Sequence, residues 1–432
     1  MFQLIAALIT VTTAFAWANH RWLRLPANIA LLVMGLCASL LLIGVNAFFP
    51  NVSVYGTLAS AIRRIDFYKA LMHGMLAFLL FAGALNVDFN HLRSRARAVG
   101  ALATFGVLIS TAIVGVGLWA VSAVVGHPIA FAWALVFGAL IAPTDPVAVL
   151  SSLKAVDVPK SLETDMSGEA LFNDGIGVVL FTVLLDAAMH SAGGFGPAEV
   201  LRLLAIEAFG GALLGAATGF VAYRAMRAID DYSIEVMISL ALVMATYAIG
   251  IEIHVSGPIA VVVAGVLIGN RGPTHAMSKR TQQYFFGFWT LLDDILNAVL
   301  FLLIGLEVLV LGFDRSLFPI ALIVIPLVVI ARFAAVSGPV WLLRRWQPFT
   351  PGTIPILTWG AVRGGISVAL ALSLPHVAAR PLILAATYSV VLFTVIVQGL
   401  SLARVIKWAA PAIAGGASSS EARHDGAERD ET

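Results

Sequence analysis

The sequence predicts an all-α polytopic membrane protein of about thirteen transmembrane helices, and three observations carry that prediction. Of 432 residues, 60% are hydrophobic and only 12% charged, with a mean hydropathy of +0.96, whereas soluble domains carry about 25% charged residues. Apolar runs long enough to cross roughly 30 Å of hydrocarbon recur along the chain, for instance Ala27–Phe49, Ala98–Val125 and Phe318–Leu343. Basic residues gather in alternate loops: Arg21, Arg24, Arg93, Arg95, Arg97, Lys154, Lys160, Arg224, Arg227, Arg271, Lys279, Arg280, Arg344 and Arg345 fall on one side, against Arg63, Arg64, Arg315 and Arg380 on the other, with Lys69 and Arg202 near its edges.

The positive-inside rule makes the arginine-rich side cytoplasmic, with the N-terminus outside and the C-terminus inside a plasma membrane, such as a bacterial inner membrane. Met1–Ala18 lacks a basic start and leads into "HRWLRLP", so it is expected to be the first span rather than a signal peptide. No linker-like composition interrupts the spans until the polar stretch after Pro411. One transmembrane domain over 1–410 and a short disordered tail over 411–432 are therefore expected. Cys37, the lone cysteine, sits in an apolar run and reads as a small packing residue. A formal net charge of +2 gives no reason to expect a nucleic-acid partner.

An ionisable residue at bilayer depth costs at least about 2.5–3.5 kcal/mol on insertion scales, so each one is a functional candidate. Asp145, Glu169, Asp174, Glu307, Arg332 and Arg363 lie within predicted spans, accompanied by Thr144, Asn173 and Asn297. Glu307 and Arg332 are expected to pair with each other as a structural unit.

The fifth span, "FAWALVFGALIAPTDPVAVL", has Pro143 and Pro146 flanking Thr144 and Asp145. Neither proline donates an N–H, so the carbonyls of Ala139 and Ala142 lose their helical partners, and the helix breaks. Freed carbonyls and the Thr144 hydroxyl are hard oxygen ligands suited to an alkali cation. A break at membrane depth survives where it lines protein or a wet cavity. The twelfth span, "TIPILTWGAVRGGISVALALSLP", places Gly360, Gly364 and Gly365 around Arg363 and is expected to be interrupted too. If the seventh span joins two six-helix halves, the twelfth corresponds to the fifth. Interrupted spans at matching positions predict two inverted repeats with crossing helices 5 and 12 around a midplane site.

The sixth span contains "SGEALFNDGIGVVLF". Glu169 and Asn173, four apart, share one edge of the helix, while Asp174 lies about 100° further round. Glu169 is expected to pair with Arg363, since either charge alone would cost roughly 3–5 kcal/mol. Asp174 and Asp145 are then left for exchangeable ions, because a buried carboxylate can hold either a proton or a sodium ion.

At these residues the chain resembles the monovalent cation:proton antiporters of the sodium/proton exchanger branch. The resemblance runs through "FAGALNVDF", "ALIAPTDPVAVLSSLK", "GEALFNDG", "SGPIAVVVAGVLIGN", "LNAVLFLLIGLE" and "WGAVRGGISVALALSLP". It implies a thirteen-helix fold with inverted repeats, a core domain moving against a dimerisation domain, and a homodimer. It also implies an ion site, for Na⁺ or Li⁺ and H⁺, at Thr144, Asp145, Asn173 and Asp174, with an ion pair at Glu169 and Arg363. Asn173–Asp174 is similar to the electroneutral branch, so one cation is expected to be exchanged for one proton. Ala170 stands where many relatives carry a serine ligand. K⁺/H⁺ exchange on the same fold is the alternative.

Other classes fit less well. An intramembrane aspartyl protease would carry Gly-x-Gly-Asp, whereas "LFN" precedes Asp174. A channel would use symmetric rings of acids or carbonyls. There is no Walker loop and no His/Cys cluster, so neither a nucleotide nor a cofactor is expected, and the protein is not expected to be an enzyme. The nine histidines lie mostly at span ends or in loops.

Overall fold

The computed structural model describes residues 2–48, 56, 67–145, 159–189, 197–309 and 315–409. The elements among them are helical. They are α1 (Phe2–Ala18), α2 (Ala27–Phe48), α3 (Phe67–Leu85), α4 (Phe89–Val124), α5 (Phe131–Ile141), α6 (Lys160–Met189), α7 (Pro197–Met226), α8 (Tyr232–Glu252), α9 (Gly257–His275), α10 (Lys279–Glu307), α11 (Phe318–Leu343), α12 (Thr353–Trp359), α13 (Gly365–Leu372) and α14 (Arg380–Ala409). Among the described residues, nine helices are long and apolar enough to cross a membrane. Pro146, Lys154, Arg63, Arg64, His190 and the tail 411–432 lie outside the described residues.

Several helix starts carry side-chain caps that accept from backbone N–H groups otherwise left without partners: Asp88 for α4, Asp231 for α8, Ser256 for α9 and Ser278 for α10. Between helices in lipid, where apolar burial gives little advantage, close approach of backbones takes over. Gly211, Gly215 and Gly219 of α7 form one stripe against α9. A β-carbon at Gly215 would overlap the Ala260 carbonyl, and one at Gly211 would meet the Ser256 carbonyl oxygen at 2.5 Å. α2 and α10 approach equally closely, with Gly35 against Leu302 and Gly305 against Leu32.

Two apolar regions result. The larger is built chiefly from α4–α6 and α10–α14 and contains Phe137, Leu140, Phe301, Val362 and Val391. The smaller joins α3 and α7–α10 around Phe81, Met226, Phe285 and Trp289. Trp289 lies 4.6 Å from the Phe81 ring, and its indole N–H donates to Ser239 at 3.0 Å. The larger region contains both helix breaks. α5 stops at Ile141, and the chain is non-helical through 142–145; α12 and α13 are separated by residues 360–364.

Candidate functional site

The two breaks cross and are stitched together. The Asp145 N–H donates to the Val362 carbonyl at 2.8 Å. Arg363 Nη1 donates back to the carbonyls of Ala142, at 2.5 Å, and Pro143, at 2.9 Å. A guanidinium thus sits on the C-terminal carbonyls of α5, where the helix dipole is negative. In turn the Asp145 carboxylate rests against Gly364, which N-caps α13, so that a β-carbon there would overlap it. An acid at a helix N-terminus is the complementary arrangement. The Arg363 N–H donates to Thr394 Oγ1 of α14 at 3.0 Å.

α6 supplies the third wall. Asn173 Nδ2 donates to Thr144 Oγ1 at 2.8 Å, and its Oδ1 accepts from the Thr144 N–H at 3.3 Å. Gly177, one turn on, leaves room for the Pro143 ring that a β-carbon would displace. Asp174 is 6% exposed and lies within electrostatic reach of Asp145 and Arg363. Among the described residues it has no hydrogen bond or ion pair. Ala170, one turn before Asp174, is buried.

Both expected ion pairs are overturned. Glu169 pairs with Arg332 of α11, not with Arg363: Arg332 Nη2 donates to Oε2 at 2.8 Å and Nη1 to Oε1. Arg332 Nε and Nη2 also donate to the Leu357 carbonyl at 3.2 Å each. The physical reason is that each half-helix ends in bare carbonyls needing a cation. Arg332 serves α12 and reaches Glu169 from there, whereas Arg363 is held by α5. Glu307 therefore has no arginine, and it makes no ion pair among the described residues. The cation-ligand reading of the freed carbonyls changes as well. Ala139 O accepts from the Ala142 N–H at 3.3 Å, and Ala142 O is occupied by Arg363.

A further buried pair was not singled out in the sequence. Arg95 of α4 donates through Nε to Asp165 Oδ1 at 2.8 Å, pairs with Oδ2 through Nη2, and reaches the Pro348 carbonyl at 2.7 Å. It also stacks 4.8 Å over the Phe349 ring. The available signal was spacing: Asp165, Glu169 and Asn173 recur every four residues on α6 and so share one edge. Asn297 of α10 lies away from the crossing in its bonding, donating to Asp293 of its own helix.

A family model described as "Sodium/hydrogen exchanger, transmembrane" matches residues 8–408. The chain is 44% identical over 416 residues to the Na(+)/H(+) antiporter NhaP of Pseudomonas aeruginosa, covering 94% of this chain and 96% of that one. It is 36% identical over 396 residues to the Na(+)/H(+) antiporter NhaH of Halobacillus dabanensis, covering 90% and 93%. Among solved structures, the sodium proton antiporter MjNhaP1 of Methanocaldococcus jannaschii superposes with a TM-score of 0.73 over 94% of this chain and 98% of that one. At 18% identity that likeness concerns the fold. Its members are transporters rather than enzymes, and this chain belongs to the sodium/hydrogen exchanger family.

Proposed function

We propose that the protein is a secondary antiporter exchanging Na⁺ for H⁺ by alternating access, with both ions competing for the carboxylate of Asp174. The observation that carries this reading is a buried aspartate with no hydrogen-bond partner among the described residues, placed beside a second carboxylate and two broken helices. Asp145 and the Thr144 hydroxyl complete an oxygen set for an alkali cation, now without the Ala142 carbonyl. Asn173 acts by holding Thr144 in place through both ends of its amide.

Charge balance favours an electroneutral one-for-one exchange. Glu169 and Arg332 neutralise each other, which leaves Arg363 opposite two carboxylates, Asp145 and Asp174. The empty site then carries one negative charge. One Na⁺ or one proton cancels it, so the loaded unit has the same charge in both directions and no net charge moves against the membrane potential, at about 2.3 kcal/mol per 100 mV. The arginine-rich loops are cytoplasmic in this reading, with the N-terminus outside a plasma membrane, and the functional unit is a homodimer. The broken fifth and twelfth spans correspond through inverted repeats.

Everted vesicles monitored by fluorescent pH dequenching test the function, with Na⁺, Li⁺ and K⁺ added in turn. Na⁺ should dissipate the acid gradient, and Asp174→Asn should abolish the response at normal membrane yield. Residual exchange above about a tenth of wild type, outside the 10²–10⁴-fold loss expected for an essential proton carrier, would remove Asp174 from that role.

A further inference from the structure

Glu307 is the last residue of α10, is 8% exposed, and has no hydrogen bond or ion pair among the described residues. The helices packed against α10 are α1, α2, α3, α8 and α13. Their charged side chains are Lys69 on α3 and Glu235 and Glu252 on α8, and none is bonded to Glu307. On α2, the Ser39 hydroxyl donates to the Gly305 and Leu306 carbonyls. The titratable group within electrostatic reach is Tyr388 of α14. It is 1% exposed, and its hydroxyl has no partner.

Depth can be read from the packing. Gly365, at the start of α13, abuts Leu300, and Glu307 lies seven residues beyond Leu300, about 10 Å at 1.5 Å per residue. Thr394 meets Arg363 at the crossing, and Tyr388 lies six residues from Thr394 along α14, about 9 Å. α10 starts at Lys279 and Arg280 on the arginine-rich face and α14 at Arg380 on the opposite one, so both displacements lead away from the arginine-rich face. Ser367, in the first turn of α13, is buried with an unpartnered hydroxyl at intermediate depth. Three buried and unpartnered groups thus lie at successive depths around α13, starting from the carboxylates at the crossing.

We propose that Glu307 and Tyr388 form a second protonatable station, through which the exchanged proton passes between the ion site and the face opposite the arginine-rich loops. The proposal rests on the ion-site reading above. A buried carboxyl group without a counter-charge is tolerated as the neutral acid, which is the form able to give up a proton. The Glu307 O–H bond breaks, and its proton goes through intervening water to the Tyr388 oxygen. The Tyr388 proton leaves at the same time, through the Ser367 hydroxyl and water, to the site carboxylate. The Glu307 carboxylate then regains a proton from water on its own face. A sodium ion does not use this route.

The test compares two transport modes of the full chain in proteoliposomes: Na⁺/H⁺ exchange, and exchange of labelled for unlabelled Na⁺, which moves no proton. Glu307→Gln should slow Na⁺/H⁺ exchange at least about tenfold, less than the 10²–10⁴-fold of an essential proton carrier because water can partly replace a relay group, while Na⁺/Na⁺ exchange stays within twofold. Tyr388→Phe should do the same to a smaller degree. Equal loss of both modes, or no loss in either, overturns the proposal; equal loss would make Glu307 structural or part of the cation path. Asp174→Asn, measured alongside, should lose both modes. If it retains them, the ion-site reading fails, and the station has no site to serve.

Discussion

Two stripes of the molecule share one spacing and use opposite chemistry. On α6, Asp165, Glu169 and Asn173 stand four apart, and each is bound to a different element: Arg95 of α4, Arg332 of α11, and Thr144 in the break after α5. On α7, Gly211, Gly215 and Gly219 also stand four apart, and all three lie against one neighbour, α9. The glycines hold by shape, through backbone approach with no polar partner. The α6 stripe holds by charge and hydrogen bonds, whose removal leaves a buried partner bare. Rigidity is concentrated accordingly. α6 joins three separate elements to the ion site, whereas α7 contributes no residue to it and is linked to α6 partly through α9, whose Ile259 lies against Gly175 beside Asp174.

Substitutions in the two stripes should differ in cost and in what they disturb. The largest effect should come from Glu169→Ala, which strands Arg332 and should cost about 3–5 kcal/mol of stability, read as a lowered unfolding temperature in detergent. Pairing it with Arg332→Gln should recover part of the loss, and additive losses would deny the coupling. Gly215→Ala should cost less, about 1–3 kcal/mol of overpacking against Ala260. The protein that survives should keep its KM for Na⁺, because α7 does not reach the site; a raised KM would join the two stripes functionally. Smallest is Arg95→Lys, which keeps the charge but loses the two-pronged contact with Asp165. A loss of about 1 kcal/mol in the same unfolding assay is expected.

Glu169 and Asn173 were legible as one edge of α6 because helical spacing is local, while Asp165, one turn earlier on the same edge, was passed over. It identified the two broken spans for the same reason, since Pro143 and the glycines around Arg363 act on their own backbone. Partner choice was not legible. Arg332 and Arg363 are both arginines at bilayer depth, and nothing in their spacing says which one faces Glu169. What decides it is a need no local pattern expresses: two half-helices end in bare carbonyls, and each takes the arginine that reaches it. The pairing of Glu307 with Arg332 failed on the same ground, because Arg332 is fully occupied by Glu169 and Leu357. The glycine stripe of α7 stands openly in the sequence, yet its partner α9 is a property of three-dimensional packing.

The clasp between Arg363 and α5 also has a consequence for how the chain is made. The Ala142 carbonyl finds its donor 221 residues further along. At about 5–20 residues per second, ribosomal synthesis leaves an interval of about 10–45 s between the two. Throughout it, an eleven-residue helix ending in an aspartate-bearing break lies in or beside the bilayer without its cap. The ion site therefore cannot close before residue 363 has been made, and a nascent chain interrupted earlier presents the insertion machinery and membrane proteases with this unfinished segment.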